Sequence, residues 1–199
     1  MNKSVIDKID NFKKNYGVKD VELVKCVEDG YIGKRSYKVT LNDSSSMIVD
    51  KITKNKGNGD AIVIVPITED KRFVMVIQSR VNTLEGVCLE FPAGMVESCE
   101  NKCEAARREL LEETGYGANV MEELEWHYQD QGCSSAIVTT YVAYGCKRID
   151  SLNLDEDERL DYLLMSKEDL KEALGDSKYG MNDANSKIAY MSYVLKKEV

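Results

Sequence analysis

Between Gly94 and Tyr116 the chain reads G-MVESC-E-NKCEAAR-RELLEET-GY, and its core Arg108-Glu109-Leu110-Leu111-Glu112-Glu113 constrains the molecule most. Each residue of an α-helix advances by about 100°, so Glu109, Glu112 and Glu113 fall within an arc of roughly 100° on one face. At a separation of ~5 Å and an effective dielectric of ~20, one pair of carboxylates repels by roughly 3 kcal/mol. One resolution is bland: a glutamate-rich face is commonly solvated surface with Lys or Arg nearby. The other is chemical. A hard divalent cation takes oxygen ligands and keeps waters for substrate or nucleophile, which points to metal-assisted attack of water on a phosphate.

Apolar spacing lays out the rest. Val5, Ile6, Ile9 and Phe12 predict an amphipathic helix over 3–15, ended by Gly17. Period-two alternation predicts strands over 21–26, 35–41 and 46–52, and a Gly/Asn-rich loop over 54–60 precedes a buried strand over 61–66. The segment 71–78 reads as the antiparallel partner of that strand, after a turn at 68–70. The glutamate-bearing helix is expected from about Cys99 to Glu113, stopping at Gly115 as its C-cap. Strands near 121–128, 136–144 and 159–165 and helices near 167–174 and 183–196 complete an α+β arrangement.

At 199 residues the chain suits one well-buried domain plus an extension. A net charge of −8 argues against general nucleic-acid binding, which needs a basic footprint, but not against a phosphate substrate, because bound metal ions can reverse the local field. No apolar run reaches membrane-spanning length and 1–17 carries no apolar signal core, so the expectation is a soluble, cytoplasmic protein with no membrane partner. The six cysteines show no CxxC pair and read as free thiols, with Cys99 and Cys103 on one side of the glutamate helix. His127, the one histidine, reads as structural, in a strand after Trp126.

Taken as a whole, the spacing Gly94, Glu100, Arg108-Glu109-Leu110, Glu112-Glu113, Gly115 resembles the box of the Nudix hydrolases. Glu90-Phe91-Pro92-Ala93-Gly94 just before it resembles the Glu-x-Pro-Ala-Gly of the ADP-ribose and ADP-sugar pyrophosphatase branch, and Tyr116 is a variation that branch often shows. The resemblance implies an α/β/α sandwich, the Nudix fold with a mixed sheet between helices, over 58–199. It also implies that 1–57 is a helix and small antiparallel β extension that serves a homodimer. Gly94 and Gly115 are expected to serve turns with awkward dihedrals.

By the same resemblance the Ala93 carbonyl, Glu109 and Glu113 would bind Mg²⁺, or Mn²⁺ in its place. Glu112 would be a shared ligand or orient water, and Glu100, placed near exposed amides at the helix start, would support the metal site. Arg108, four residues before Glu112, would orient the cluster rather than touch substrate. Gln78-Ser79-Arg80 resembles the family's Gln-x-Arg, so Arg80 would approach the diphosphate or terminal sugar and Glu90 a ribose or a metal-bound water. In the acidic stretch 153–160, Glu158 matches the family's water-activating glutamate, with Glu156 the second choice. Gln131 stands where the ADP-ribose branch carries a proline.

The implied activity is hydrolysis of the pyrophosphate bond of a nucleoside diphosphate derivative, ADP-ribose or an ADP-sugar first, giving a nucleoside monophosphate and a sugar phosphate. The alternatives are another nucleotide sugar or a dinucleotide as substrate, or a non-catalytic module that senses a nucleotide sugar.

Overall fold

A computed structural model describes residues 2–154, 159–176 and 180–197. The chain forms two compact units, one of residues 1–59 with Asp130–Ser135, the other of Asp60–Gln129 with Ala136–Val199.

In the first unit, α1 (Lys3–Tyr16) is capped by Asn2, whose side chain accepts the Ser4 N–H at 2.9 Å. The strands β1 (Val18–Glu28), β2 (Ile32–Leu41) and β3 (Ser46–Lys54) form an antiparallel sheet in that order. Helix α1 has no buried residue, and Val21, Leu23, Val24 and Ile48 of the sheet are also exposed. The turn around Gln131 is closed by its neighbour. Asp130 accepts the Gly132 N–H at 3.0 Å on its side chain and the Ser134 N–H at 2.7 Å on its carbonyl, an Asx-type closure that needs no proline.

The second unit opens with β4 (Ala61–Thr68), β5 (Phe73–Ser79), β6 (Val87–Glu90) and β7 (Ala93–Met95). After α2 (Lys102–Thr114) come β8 (Tyr116–Gly117), β9 (Val120–Tyr128), β10 (Ile137–Arg148) and β11 (Leu160–Met165), then α3 (Lys167–Gly175) and α4 (Ala184–Lys197). Its sheet has eight strands and is mixed, since β4 and β10 run parallel while their other neighbours are antiparallel.

Strand β4 explains the layering. Buried on both faces, it sends Ile62 and Ile64 toward Ala105, Ala106 and Leu110 of α2. Its alternate residues Val63, Val65 and Ile67 pack with Leu170 and Ala173 of α3 and Ala189 and Tyr190 of α4. The period of two thus places one helical layer on each side of the sheet, the α/β/α sandwich that was expected.

Several local expectations change. Strands β4 and β5 pair only at Ile67–Phe73 beside their turn, because β7 occupies the rest of that edge of β4 and β5 pairs instead with β6 and β11. The short strands β6, β7 and β8 carry too few residues to show a period. Helix α2 begins at Lys102, not Cys99. Asn101 and Glu104 form a reciprocal capping box there, while Cys99 sits at φ 69° in the left-handed region. Cys99 and Cys103 therefore share no helix face, and all six cysteines are free. Helix α4 begins at Ala184, one residue later than expected.

Candidate active site

Helix α2 is held at both ends and along its apolar side, which fixes where its acids point. Gly115 ends it at φ 71°, donating its N–H to the Leu111 carbonyl at 2.8 Å. A Cβ there would also lie 2.3 Å from the Asp150 carbonyl, so glycine is required twice. With Leu110 fully buried, Glu109 and Glu113 lie toward β7, at Gly94 and the Ala93 amide, while Glu112 meets Arg108.

Arg108 is the hub of this face. Its Nε donates to Glu100 Oε1 at 2.9 Å, and Nη2 to Glu100 Oε2 at 2.9 Å and the Met95 carbonyl at 3.1 Å. Nη1 donates to Glu109 Oε1 at 2.8 Å and Glu112 Oε2 at 3.1 Å. These contacts engage every N–H of a guanidinium, which offers five in all. Arg108 thus binds the cluster together, and its own pKa rises further, chiefly through Glu100. The same contact pulls the Glu100 carboxyl below its ordinary range.

Glu100 precedes the helix rather than standing in its first turn. Its carboxylate takes the Glu97 N–H at 3.2 Å and Arg108, so a side-chain ion pair holds it, not the amides of α2.

Glu113, almost fully buried, accepts the Ala93 N–H on Oε2 at 3.0 Å. Gly94 is a strand residue of β7 without the positive φ expected of it. It serves by lacking a side chain, since a Cβ would lie 1.9 Å from Glu109 Oε1. Strand β7 therefore lies against two of the acids at once.

The donor set fits a hard divalent ion: each acid supplies carboxylate oxygen, and the gap left by Gly94 is filled by the Glu109 carboxylate itself. Among the described residues no three acidic, cysteine or histidine side chains already converge on one point. Glu109 and Glu112 share Arg108 Nη1, whereas Glu113 turns to the Ala93 amide.

Arg80 and Glu90 lie beside this face and meet fork to fork. Nε is 2.8 Å from Oε1 and Nη2 2.7 Å from Oε2. Glu90 is buried, and the pair lines a cleft of about 820 Å³ together with Cys88, Leu163, Asn182 and Asp183. The Arg80 pKa rises, mainly through the Glu90 hydrogen bonds, with the charges of Asp183 and Glu113 adding to it. Sequence reading placed Arg80 and Glu90 in the site separately and missed Asn182 and Asp183, whose approach to the cleft no local pattern announces.

Two anchors flank the acidic stretch. The Asn153 N–H donates to the Glu112 carbonyl at 2.9 Å, and the Arg159 carbonyl accepts the Ser79 N–H at 3.1 Å. Glu156 and Glu158 lie outside the described residues. His127 keeps a structural setting, with Nδ1 and Nε2 each 3.3 Å from an oxygen, of Glu125 and Asn185 respectively.

Residues 57–183 match the NUDIX domain family. This chain belongs to the Nudix family. Among its relatives, the methanol dehydrogenase activator of Bacillus methanolicus is 39% identical over 115 residues, covering 57% of this chain and 60% of that protein. The ADP-ribose pyrophosphatase of Bacillus subtilis (strain 168) is 32% identical over 120 residues, covering 60% and 63%. The Nudix chain thus spans less than two thirds of the length of either relative. A crystal structure of an ADP compounds hydrolase matches with a TM-score of 0.73 at 25% identity, over 92% of this chain and 96% of that one. The Arg108 hub and the carboxylate face of α2 both lie inside the matched Nudix region.

Proposed function

We propose that this Nudix protein is a divalent-metal-dependent hydrolase of the pyrophosphate bond in nucleoside diphosphate derivatives, with ADP-ribose or an ADP-sugar as substrate. The observation that carries the reading is the intact acid set of α2, drawn by Arg108 and β7 into one face beside the cleft that holds Arg80 and Glu90. A module that only senses a nucleotide has no need of all three carboxylates. The names of the relatives, an ADP-ribose pyrophosphatase and an ADP-sugar pyrophosphatase of Mus musculus among them, support the substrate class.

In this reading Glu109, Glu112, Glu113 and the Ala93 carbonyl hold Mg²⁺ or Mn²⁺, with Glu100 as support. When bound, the ion supplies an activated water and neutralises charge on the phosphate oxygens. Arg108 holds the acids together and oriented. Arg80 offers a planar pair of N–H groups to phosphate or sugar oxygens, exchanging part of its contact with Glu90 for the substrate. Glu90 then has a free carboxylate edge for a ribose hydroxyl. Glu158 is assigned as the residue that deprotonates or aligns the water. The products are a nucleoside monophosphate and a sugar phosphate. Residues 1–57 are assigned to a homodimer contact, supported by the uncovered apolar side chains of α1 and its sheet, and the enzyme is placed in the cytoplasm.

The test is phosphate release, coupled to a phosphatase, over a panel of nucleoside diphosphate compounds with Mg²⁺ and with EDTA. Metal-dependent turnover that falls by orders of magnitude in Glu113→Gln, with the fold retained, supports the enzyme. Turnover strongest on a different nucleotide sugar or a dinucleotide replaces the substrate and keeps the chemistry. Binding without turnover across the panel overturns the hydrolase reading in favour of a sensor.

A further inference from the structure

We propose that Ser186 is a positioning residue for this site, tying the backbone hinge at Phe91 so that the Arg80–Glu90 pair and the Ala93–Glu113 contact keep their spacing. The inference rests on the hydrolase reading and adds a residue remote in sequence from both the acid face and the Arg80–Glu90 pair.

The hinge arises from the sheet. The ladder between β5 and β6 ends at Glu90, and that between β4 and β7 begins at Ala93. Phe91 and Pro92 bridge the gap. The Pro92 carbonyl accepts the Ile64 N–H at 2.9 Å, but proline has no N–H of its own, so this stretch has one backbone donor to satisfy. That donor is the N–H of Phe91, a fully buried residue beyond the end of its strand. A buried backbone donor must find an acceptor. Ser186 Oγ, 95 residues away in sequence, provides it at 2.9 Å.

Ser186 is itself fully buried and is held in turn. Its N–H donates to Asp183 Oδ2 at 2.7 Å, and the Asp183 carbonyl accepts the Lys187 N–H at 3.1 Å, so the serine is fixed in the first turn of α4. Asp183 lines the cleft. One line of hydrogen bonds therefore runs from the cleft wall through α4 to the peptide between Glu90 and Pro92. On one side of that peptide stands the Glu90 carboxylate in the Arg80 fork, on the other the Ala93 amide on Glu113. A displaced hinge moves substrate-binding and acid-holding groups relative to each other, and a misplacement of ~1 Å costs up to about a hundredfold in rate.

The test compares wild type, Ser186→Ala and Ser186→Thr for kcat and KM on ADP-ribose with Mg²⁺, and follows hydrogen exchange at the Phe91 amide by NMR. Ser186→Ala is expected to lose at least about tenfold in kcat, with KM changed less than about threefold and Phe91 exchange about tenfold faster. Ser186→Thr, which keeps the acceptor oxygen, is expected to recover most of that loss. Wild-type kcat in Ser186→Ala, equal loss in both folded variants, or unchanged Phe91 exchange overturns the proposal. If the alanine variant does not fold, Ser186→Cys, nearly equal in volume and a poorer acceptor, takes its place with the same readings. If wild type itself shows no turnover, the hydrolase reading fails separately, and wild-type Phe91 exchange in the variant still overturns the tie.

Discussion

Gly94 leaves the space that the Glu109 carboxylate fills: a Cβ on Gly94 would stand 1.9 Å from Oε1 and 2.0 Å from Cδ. The two residues come from different elements, β7 and α2, and their contact sets how closely the acid face approaches the backbone before the helix. Gly94→Ala would push a flexible side chain rather than backbone, so its cost should fall on the site and not on the fold. We expect a stability loss below about 1 kcal/mol by urea denaturation and at least a tenfold loss of Mn²⁺ affinity by water-proton relaxation. Unchanged Mn²⁺ affinity would remove Glu109 from the metal set.

The Arg80–Glu90 fork makes a different prediction. The Glu90 side chain is 7% exposed and that of Arg80 44%, so solvent already weakens the pair from one side. Arg80→Ala strands a buried carboxylate and should cost about 1–3 kcal/mol of stability. Arg80→Ala with Glu90→Gln should recover most of that cost, because no buried charge then lacks a partner. Arg80→Lys should bind substrate more weakly than wild type, since a point charge cannot reproduce the fork. A single Arg80→Ala variant as stable as wild type would show that water replaces the guanidinium.

Acid should weaken the Arg108 hub through Glu100. The folded-state pKa of Glu100 is held below its ordinary value, chiefly by the Arg108 hydrogen bonds. Its contribution is therefore complete above the unfolded-state value of about 4.3 and is lost as pH falls through the lower folded value. The difference in urea midpoint between wild type and Glu100→Gln should be constant above about pH 5 and shrink progressively below about pH 4. A difference that persists unchanged to the lowest pH at which both variants fold would mean that Glu100 acts by packing instead of charge.

On the far side of the same helix, Leu110 is fully buried among Ile62, Ile64, Val74, Ala105 and Ala106. Leu110→Ala should cost about 2–5 kcal/mol, the range for a large core side chain cut to alanine. Because this residue seats the helix that carries the acids, turnover should fall at temperatures well below the melting point of the variant. Thermal unfolding followed by circular dichroism, run beside an activity profile in temperature, checks both.

Much of the site could be read before folding because it is local. Three glutamates and an arginine within one and a half turns of helix share a face whatever surrounds them, and Gly115 marks the helix end by its freedom at positive φ. The continuous apolar run of β4 likewise announced a strand buried on both faces. The start of α2 was harder to place, because the capping box Asn101–Glu104 competes with a plausible helical reading back to Cys99. The sandwich itself was expected by resemblance, and its layers follow from the period of two.

What only the tertiary structure decided are the partners that lie far apart in the chain. No spacing rule brings Glu90 into a fork with Arg80, sets Gly94 against Glu109, or draws Ser186 to the amide of Phe91. Gly94 shows why: its residue type suggested a bend, whereas its backbone is ordinary strand and the absent side chain matters only because α2 packs there. Backbone periodicity reports which face a residue takes on its own element. Which other element arrives at that face depends on how the sheet and helices close around a shared core, and that is settled by packing across the whole chain.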